Sequence, residues 1–384
     1  MKVINRGMND MKSMKAAVWV GPNEIEIREV PIPKISQDEY LLKVTACGLC
    51  KTDVKKIEGV TLKTKGMLDP PRVFGHEIVG VIEELGAQLR NTGLKEGDRV
   101  AIYHHVPCLE CYYCLHGDYV QCETYRTIDT TAGIGKPSGG GFAEYVKVPK
   151  LIAERGTIKI PDDVNDRRAV FMEPTNCCIK GIRKANIAIG DYVAIFGQGP
   201  IGLTIDQLAK LQGANVIAVD LVNYRLKMAE KYVDYTINAQ SEAFAEEMKE
   251  ITENRGPDVS IVAVESPKAV EQAINVTRGG GRVVFFAEYG GEVGADVLGE
   301  MVDLIYGKEI TVTGCYSSSY IDHQLAADLV FKGVIEVDNL ISHVFGIEKL
   351  KDAVELAEKR RPIGWEGEKI AEKPRESFKI IIEP

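Results

Sequence analysis

Residues 191–213 read DYVAIFGQGPIGLTIDQLAKLQG. DYVAIFG (191–197) is an apolar run of the kind that forms a buried strand. PIGLTIDQLAKLQG (200–213) spaces Ile201, Ile205, Leu208 and Leu211 as a helix does and closes on Gly213. Between them lies GQGPIG (197–202), a G-x-G-x-x-G pattern in a strand-to-helix setting. Gly197 permits the tight turn, Gly199 lets the backbone approach a pyrophosphate, and Gly202 lets the helix pack on the strand. The helix N-terminus, opening at Pro200 and Ile201, faces the anion. Asp220 ends the next strand, NVIAVD, where a carboxylate accepts the ribose hydroxyls of NAD and repels the 2′-phosphate of NADP. NAD is therefore expected over NADP, with Arg225 placed either to flank the adenine or to accommodate a phosphate.

Outward from this motif the rhythm continues. VSIVAV, GRVVFFA and EITVTG (309–314) are strands, with helical patterns such as AFAEEMKEI between them, as in a parallel sheet covered on both faces. The first 160 residues differ. KAAVWV (15–20), EIEIREVPIP (24–33), YLLKVTACG (40–48), GVIEEL (80–85), DRVAIY (98–103) and GFAEYVKVP (141–149) are short strands set off by Gly and Pro, which predicts a barrel-like β unit. After residue 314 come two helical stretches, around QLAADLVF and KLKDAVELA. A closing strand, FKIIIEP, is placed to return to the first unit. The segment 359–378 reads as a charged, solvated loop, and residues 1–13 as a peripheral extension.

A chain of 384 residues predicts two domains of roughly 150–200 residues each. A net charge of −9 argues against nucleic acid or an anionic membrane as partner and for a small molecule. No apolar run is long enough to span a bilayer and no signal peptide is evident, so the cytoplasm is the expected location.

Four of the nine cysteines lie in VPCLECYYCLHGDYVQC (106–122), as Cys108, Cys111, Cys114 and Cys122 in a C-x2-C-x2-C-x7-C array. Four thiolates saturate a tetrahedral zinc and leave no place for substrate, so this site is structural. An iron–sulfur cluster fits less well, because the last spacing is long and no Pro follows. A reactive metal needs an open site elsewhere. CGLCKTD (47–53) and GHE (75–77) supply Cys50 and His76, with Glu77, or Glu173 from FMEPTN, as a third ligand.

In this order, G-L-C-K-T-D, G-H-E, the four-cysteine lobe, G-G-F-A-E-Y (140–145), E-P (173–174) and the glycine motif resemble the zinc-containing medium-chain alcohol and polyol dehydrogenases, over essentially the whole chain from Met14. The resemblance implies a GroES-like β-barrel catalytic domain formed by 14–176 and 315–384, and a Rossmann domain, a doubly wound parallel sheet, over 177–314. It implies two zincs per chain, one catalytic on Cys50, His76 and either Glu173 or Glu77, and one structural in the lobe. It also makes Asp53 the acid that orients His76, and Thr52 the hydroxyl that takes the substrate's proton. Lys55 stands where many members carry a relay histidine. Cys47, Cys177 and Cys178 are expected to be structural. The Glu-type ligand points to a secondary alcohol or polyol, oxidised reversibly to the ketone. A threonine dehydrogenase-like or broad alcohol/aldehyde activity is the alternative, and a zinc- and NAD-binding module without catalysis is the reading from a different class. A dimer or tetramer built on the Rossmann sheet edge is implied.

Overall fold

The computed structural model describes residues 12–59, 68–287, 295–358 and 377–384. Almost all of the 1–13 extension and of the charged 359–378 segment lies outside these. In chain order the strands are β1 (Ser13–Gly21), β2 (Glu24–Pro31), β3 (Tyr40–Leu49), β4 (Glu77–Leu85), β5 (Arg99–Ile102), β6 (Tyr145–Val148), β7 (Thr157–Lys159), β8 (Tyr192–Phe196), β9 (Asn215–Asp220), β10 (Tyr235–Asn238), β11 (Val259–Val262), β12 (Arg282–Phe285), β13 (Thr311–Gly314), β14 (Ile341–Gly346) and β15 (Lys379–Glu383). They fall into two compact units, one of residues 1–173 with 323–384 and one of Pro174–Asp322.

In the first unit β1 pairs with β2, and a larger sheet runs β14-β15-β3-β4-β5-β7 with β6 added to β3. β3 is the hub. It holds β4, β6 and β15, all antiparallel to it. Its core residues Leu42, Val44 and Ala46 are buried, as are Ile380, Ile381 and Ile382 of β15. Fully burying an aliphatic side chain of this size is worth about 1.5–3 kcal/mol. The closing FKIIIEP stretch therefore returns to the first unit, where three such residues are buried in a strand held between β14 and β3.

The second unit is a six-stranded parallel sheet ordered β10-β9-β8-β11-β12-β13. This is the doubly wound order in which the direction of building reverses between the first and fourth strands, here β8 and β11, and ligands bind beyond the strand ends at that switch point. Phe196, Val219, Ile237, Met248 and Ile274 form its core. The helix Pro200–Leu211 follows β8 directly, with Pro at its first turn and Gly213, at φ 83°, just past its end.

The units divide a little earlier, and a little later, than the change of sequence texture suggests. Residues Cys315–Asp322 stay with the second unit because the helix Met172–Ala185 ties them there. Asn176 Nδ2 donates to Ser319 O at 3.0 Å, Lys180 Nζ donates to Tyr316 O at 2.6 Å, and Arg183 makes a two-pronged pair with Asp322. Among the described residues no helix is long and apolar enough to cross a membrane.

Candidate active site and metal centres

The register of β3 against β4 sets Gly48 opposite Glu77. The residues just past the end of β3 and just before the start of β4 therefore emerge at the same edge, and these are Cys50 and His76. Cys50, in extended conformation, caps the short helix Lys51–Ile57. Asp53, in the first turn of that helix and fully buried, accepts three bonds: from the Cys50 N–H at 3.2 Å, from the Gly75 N–H at 3.3 Å, and from His76 Nδ1 at 3.1 Å. One carboxylate thus fixes both chain segments and turns His76 Nε2 away from itself. Burial pulls the Asp53 carboxyl upward in pKa, but His76 and the N–H donors outweigh it and hold the group below its usual value.

Donor atoms of Cys50, His76 and Glu77 lie within 4.8 Å of one another, and so do those of His76, His104 and Glu173. His76 belongs to both sets. Cys50 and Glu173 are not gathered into one such set. Glu77 has a neighbour of its own. β15 runs beside β3 with Ile381 opposite Gly48, which brings Lys379 into a buried ion pair with Glu77. A Cβ at position 48 would collide with the Glu77 carboxylate, so glycine there keeps the space that Glu77 occupies. Thr52 is exposed on the helix Lys51–Ile57 and Lys55 is buried in it.

Cysteine sulfurs in the lobe lie 3.5 Å (Cys111 to Cys114), 3.6 Å (Cys122 to Cys108) and 3.9 Å (Cys108 to Cys114) apart. Four thiolates about 2.3 Å from one zinc stand about 3.8 Å apart in a tetrahedron, whereas a disulfide would bring two of them to about 2.05 Å. None of the nine cysteines is in a disulfide. The array therefore fits a tetrahedral metal and no disulfide. Cys47 is buried in β3, and burial pushes its thiol well above the usual cysteine range, as suits an inert core residue. Cys178 is buried and Cys177 half-buried on the helix Met172–Ala185.

At the glycine motif, Gly197 has φ 100° and a Cβ at Gly202 would strike the Gly197 carbonyl, while nothing lies within 4 Å of the place a Cβ would take at Gly199. The helix packs down at Gly202 and the backbone stays open at Gly199, as a pyrophosphate requires. Asp220 is tied to this turn: Oδ2 accepts the Gln198 N–H at 2.6 Å and Oδ1 the Val222 N–H at 2.9 Å, with Arg225 at 3.8 Å from Oδ2. Pro200 and Ile201, half-buried, open the helix.

The sequence leaves unmarked three polar residues that the fold brings beside the candidate ligands: His104, Asp129 and Lys379. His104 and His105 follow β5 immediately before the lobe, and Lys379 is the one charge at the head of an apolar strand. Both are visible signals, but only pairing across the sheet tells where they point.

Residues 36–162 match the family model of the alcohol dehydrogenase GroES-like domain, and residues 200–332 that of the zinc-binding dehydrogenases. The erythritol/L-threitol dehydrogenase of Mycolicibacterium smegmatis is 31% identical over 354 residues, spanning 90% of this chain and 94% of that protein. The chain belongs to the zinc-binding alcohol dehydrogenase family. The L-threonine 3-dehydrogenase of Pyrococcus abyssi is 31% identical over 335 residues, 86% of this chain and 91% of that one. Two solved structures superpose on the dehydrogenase over 97% of its length. One, described as a zinc-binding dehydrogenase of Sinorhizobium meliloti 1021 and bound to NADP, has TM-score 0.79, 28% identity and full coverage (100%) of that chain. The other, an alcohol dehydrogenase of E. coli CFT073 with NADH, has TM-score 0.76, 28% identity and 99% coverage of that chain. The dehydrogenase is thus an oxidoreductase of alcohols that uses zinc and a nicotinamide dinucleotide.

Proposed function

We propose that the dehydrogenase oxidises a secondary alcohol or polyol to the ketone, reversibly, with NAD as hydride acceptor and a zinc held by Cys50, His76 and Glu173. The observation that carries this is the Asp53 hub, which orders Cys50 and His76 on one edge while Lys379 neutralises Glu77. Glu77 is paired to the buried Lys379, and Glu173, whose donor atom lies within 4.8 Å of those of His76 and His104, is the carboxylate assigned to balance the metal. Cys50 thiolate and Glu173 together then match the two charges of the ion. When bound, zinc supplies Lewis acidity that eases release of a hydroxyl proton, and the nicotinamide supplies the hydride acceptor.

Asp53 keeps the His76 ring in the tautomer whose Nε2 is a lone-pair donor. The Thr52 hydroxyl takes the substrate's proton and hands it to water, its exposure offering the outlet. Asp220 favours NAD over NADP through its carboxylate at the end of β9. Cys108, Cys111, Cys114 and Cys122 hold a second, structural zinc. The polyol reading is supported by the erythritol/L-threitol relative, and a threonine-type amino alcohol is the second reading, supported by the L-threonine 3-dehydrogenase.

A homo-oligomer in the cytoplasm is part of the same proposal. Leu298, Val302 and Tyr306 form an exposed stripe along the helix Ala295–Gly307, and β13 ends its sheet. The test is NADH formation by the metal-replete chain over a panel of polyols, amino alcohols and simple alcohols. Turnover of a polyol that disappears in Cys50→Ser supports the proposal; turnover undiminished in that variant contradicts it.

A further inference from the structure

His104 is a histidine for which the reaction outlined above has no use. It follows β5 and is 3% exposed. Its Nδ1 lies 3.1 Å from Asp129 Oδ1, and its ring lies tilted by 37° against His105 at 3.7 Å between centroids, His105 being itself held by Tyr125 O at 3.1 Å. The other ring nitrogen, Nε2, is buried without a hydrogen-bond partner. It points into the metal pocket, 3.9 Å from Glu173 Oε1, and the His104 and His76 ring centroids are 5.1 Å apart.

A buried imidazole nitrogen with no partner is costly, by about 1–3 kcal/mol, unless something fills its lone pair. The carboxylate on Nδ1 is the arrangement that orients and strengthens a metal-binding histidine, and it repeats what Asp53 does for His76. Distance agrees. A nitrogen and an oxygen bound to one zinc stand about 3.4 Å apart in a tetrahedron, and no more than about 4.3 Å apart in any geometry.

We propose that His104 Nε2 is a further ligand of the active-site metal, acting with His76 and Glu173, that substrate would enter as a fifth ligand, and that Asp129 is the positioning residue of His104. This rests on the reading that the metal is held at Cys50 and His76. Two imidazoles and a carboxylate suit zinc and other first-row divalent ions, so the site accepts cobalt as a spectroscopic substitute.

The test uses the full chain loaded with Co²⁺. The lobe's ligand set is four cysteines, and its one histidine, His116, is exposed with Nδ1 on Tyr112 O at 2.7 Å, so His116→Gln in every sample leaves the N–H protons of metal-bound imidazoles to report the active site. Two exchangeable, far-shifted N–H signals are expected, one from His76 and one from His104. Both His104→Ala and the more conservative His104→Gln should remove one of them, change the cobalt ligand-field absorption and weaken metal binding at least tenfold. Asp129→Asn should weaken it ten- to a hundredfold with both signals kept. A single N–H signal in the parent chain, unaffected by the His104 variants, overturns the assignment and leaves the Cys50–His76 reading standing. No shifted N–H signal at all overturns both.

Discussion

Lys379, the first residue of the closing strand, is paired with Glu77, the first residue of β4, and neither side chain is more than 7% exposed. Burial pulls the ammonium down in pKa, but the Glu77 carboxylate more than restores it, so Lys379 stays charged. Removing one member of such a pair strands a buried charge, at a cost of about 3–5 kcal/mol. Lys379→Met should lower stability by that order, and the double variant Lys379→Met with Glu77→Gln should recover most of it. Denaturant unfolding of the four corners of this cycle is the check. If the single and double variants are equally destabilised, the pair is not coupled.

Asp53 predicts a defect in metal retention more than in folding. Asp53→Asn keeps an acceptor oxygen but loses the charge facing His76, so the active-site metal should bind ten- to a hundredfold more weakly. Competition with a chromophoric chelator measures this. The lobe metal in the same chain serves as internal reference and should be released as in the wild type.

In the lobe the prediction reverses. Its buried interior is little more than Cys114, Cys122 and Tyr125, too small a core to hold its shape unaided. Metal binding there supplies folding free energy. Cys111→Ser should lower the unfolding temperature and expose the lobe to proteolysis, with the substrate KM little changed in the molecules that remain folded. A loss of turnover at unchanged stability would argue for a catalytic lobe.

Asp206 gives a pH-dependent prediction in the second unit. It is fully buried on the helix Pro200–Leu211, with both carboxylate oxygens unpartnered, and burial raises its pKa well above the usual value against a weaker opposing effect of Gln198. The raised value means that the fold favours the protonated acid. That stabilisation is complete below the unfolded value of 3.8 and is lost as pH rises through the folded value. Asp206→Asn should therefore change stability little near pH 4 and increase it progressively toward about pH 8, by on the order of 1–3 kcal/mol. Melting temperatures of the cofactor-free chain across that range test it, and a pH-independent difference would contradict it.

Much of this molecule could be read before folding because local signals and tertiary demands agree. GQGPIG sits between a strand and a helix in the structure as in the sequence, and the apolar runs around it become β8, β9, β11, β12 and β13. β10 (YTIN) and β14 (ISHVFG) were not legible, because each carries few apolar residues and is made a strand by a neighbour's backbone. At the candidate metal site, Cys50 and His76 stand out in CGLCKTD and GHE, and the order of these motifs along the chain gives them their roles. His104, Asp129 and Lys379 do not stand out, since their meaning depends on which strands pair. Glu173, expected with Glu77 as a candidate third ligand beside Cys50 and His76, has its donor atom within 4.8 Å of those of His76 and His104.

Cys50 and His76 are proposed as the reactive metal site of an NAD-dependent alcohol oxidation. The direct measurement is NADH formation from a polyol panel by wild type and Cys50→Ser, each with its metal content determined. We expect turnover in the wild type, and a Cys50→Ser chain that is folded, keeps the lobe metal and produces no NADH. A folded Cys50→Ser chain that turns over at the wild-type rate would contradict the account.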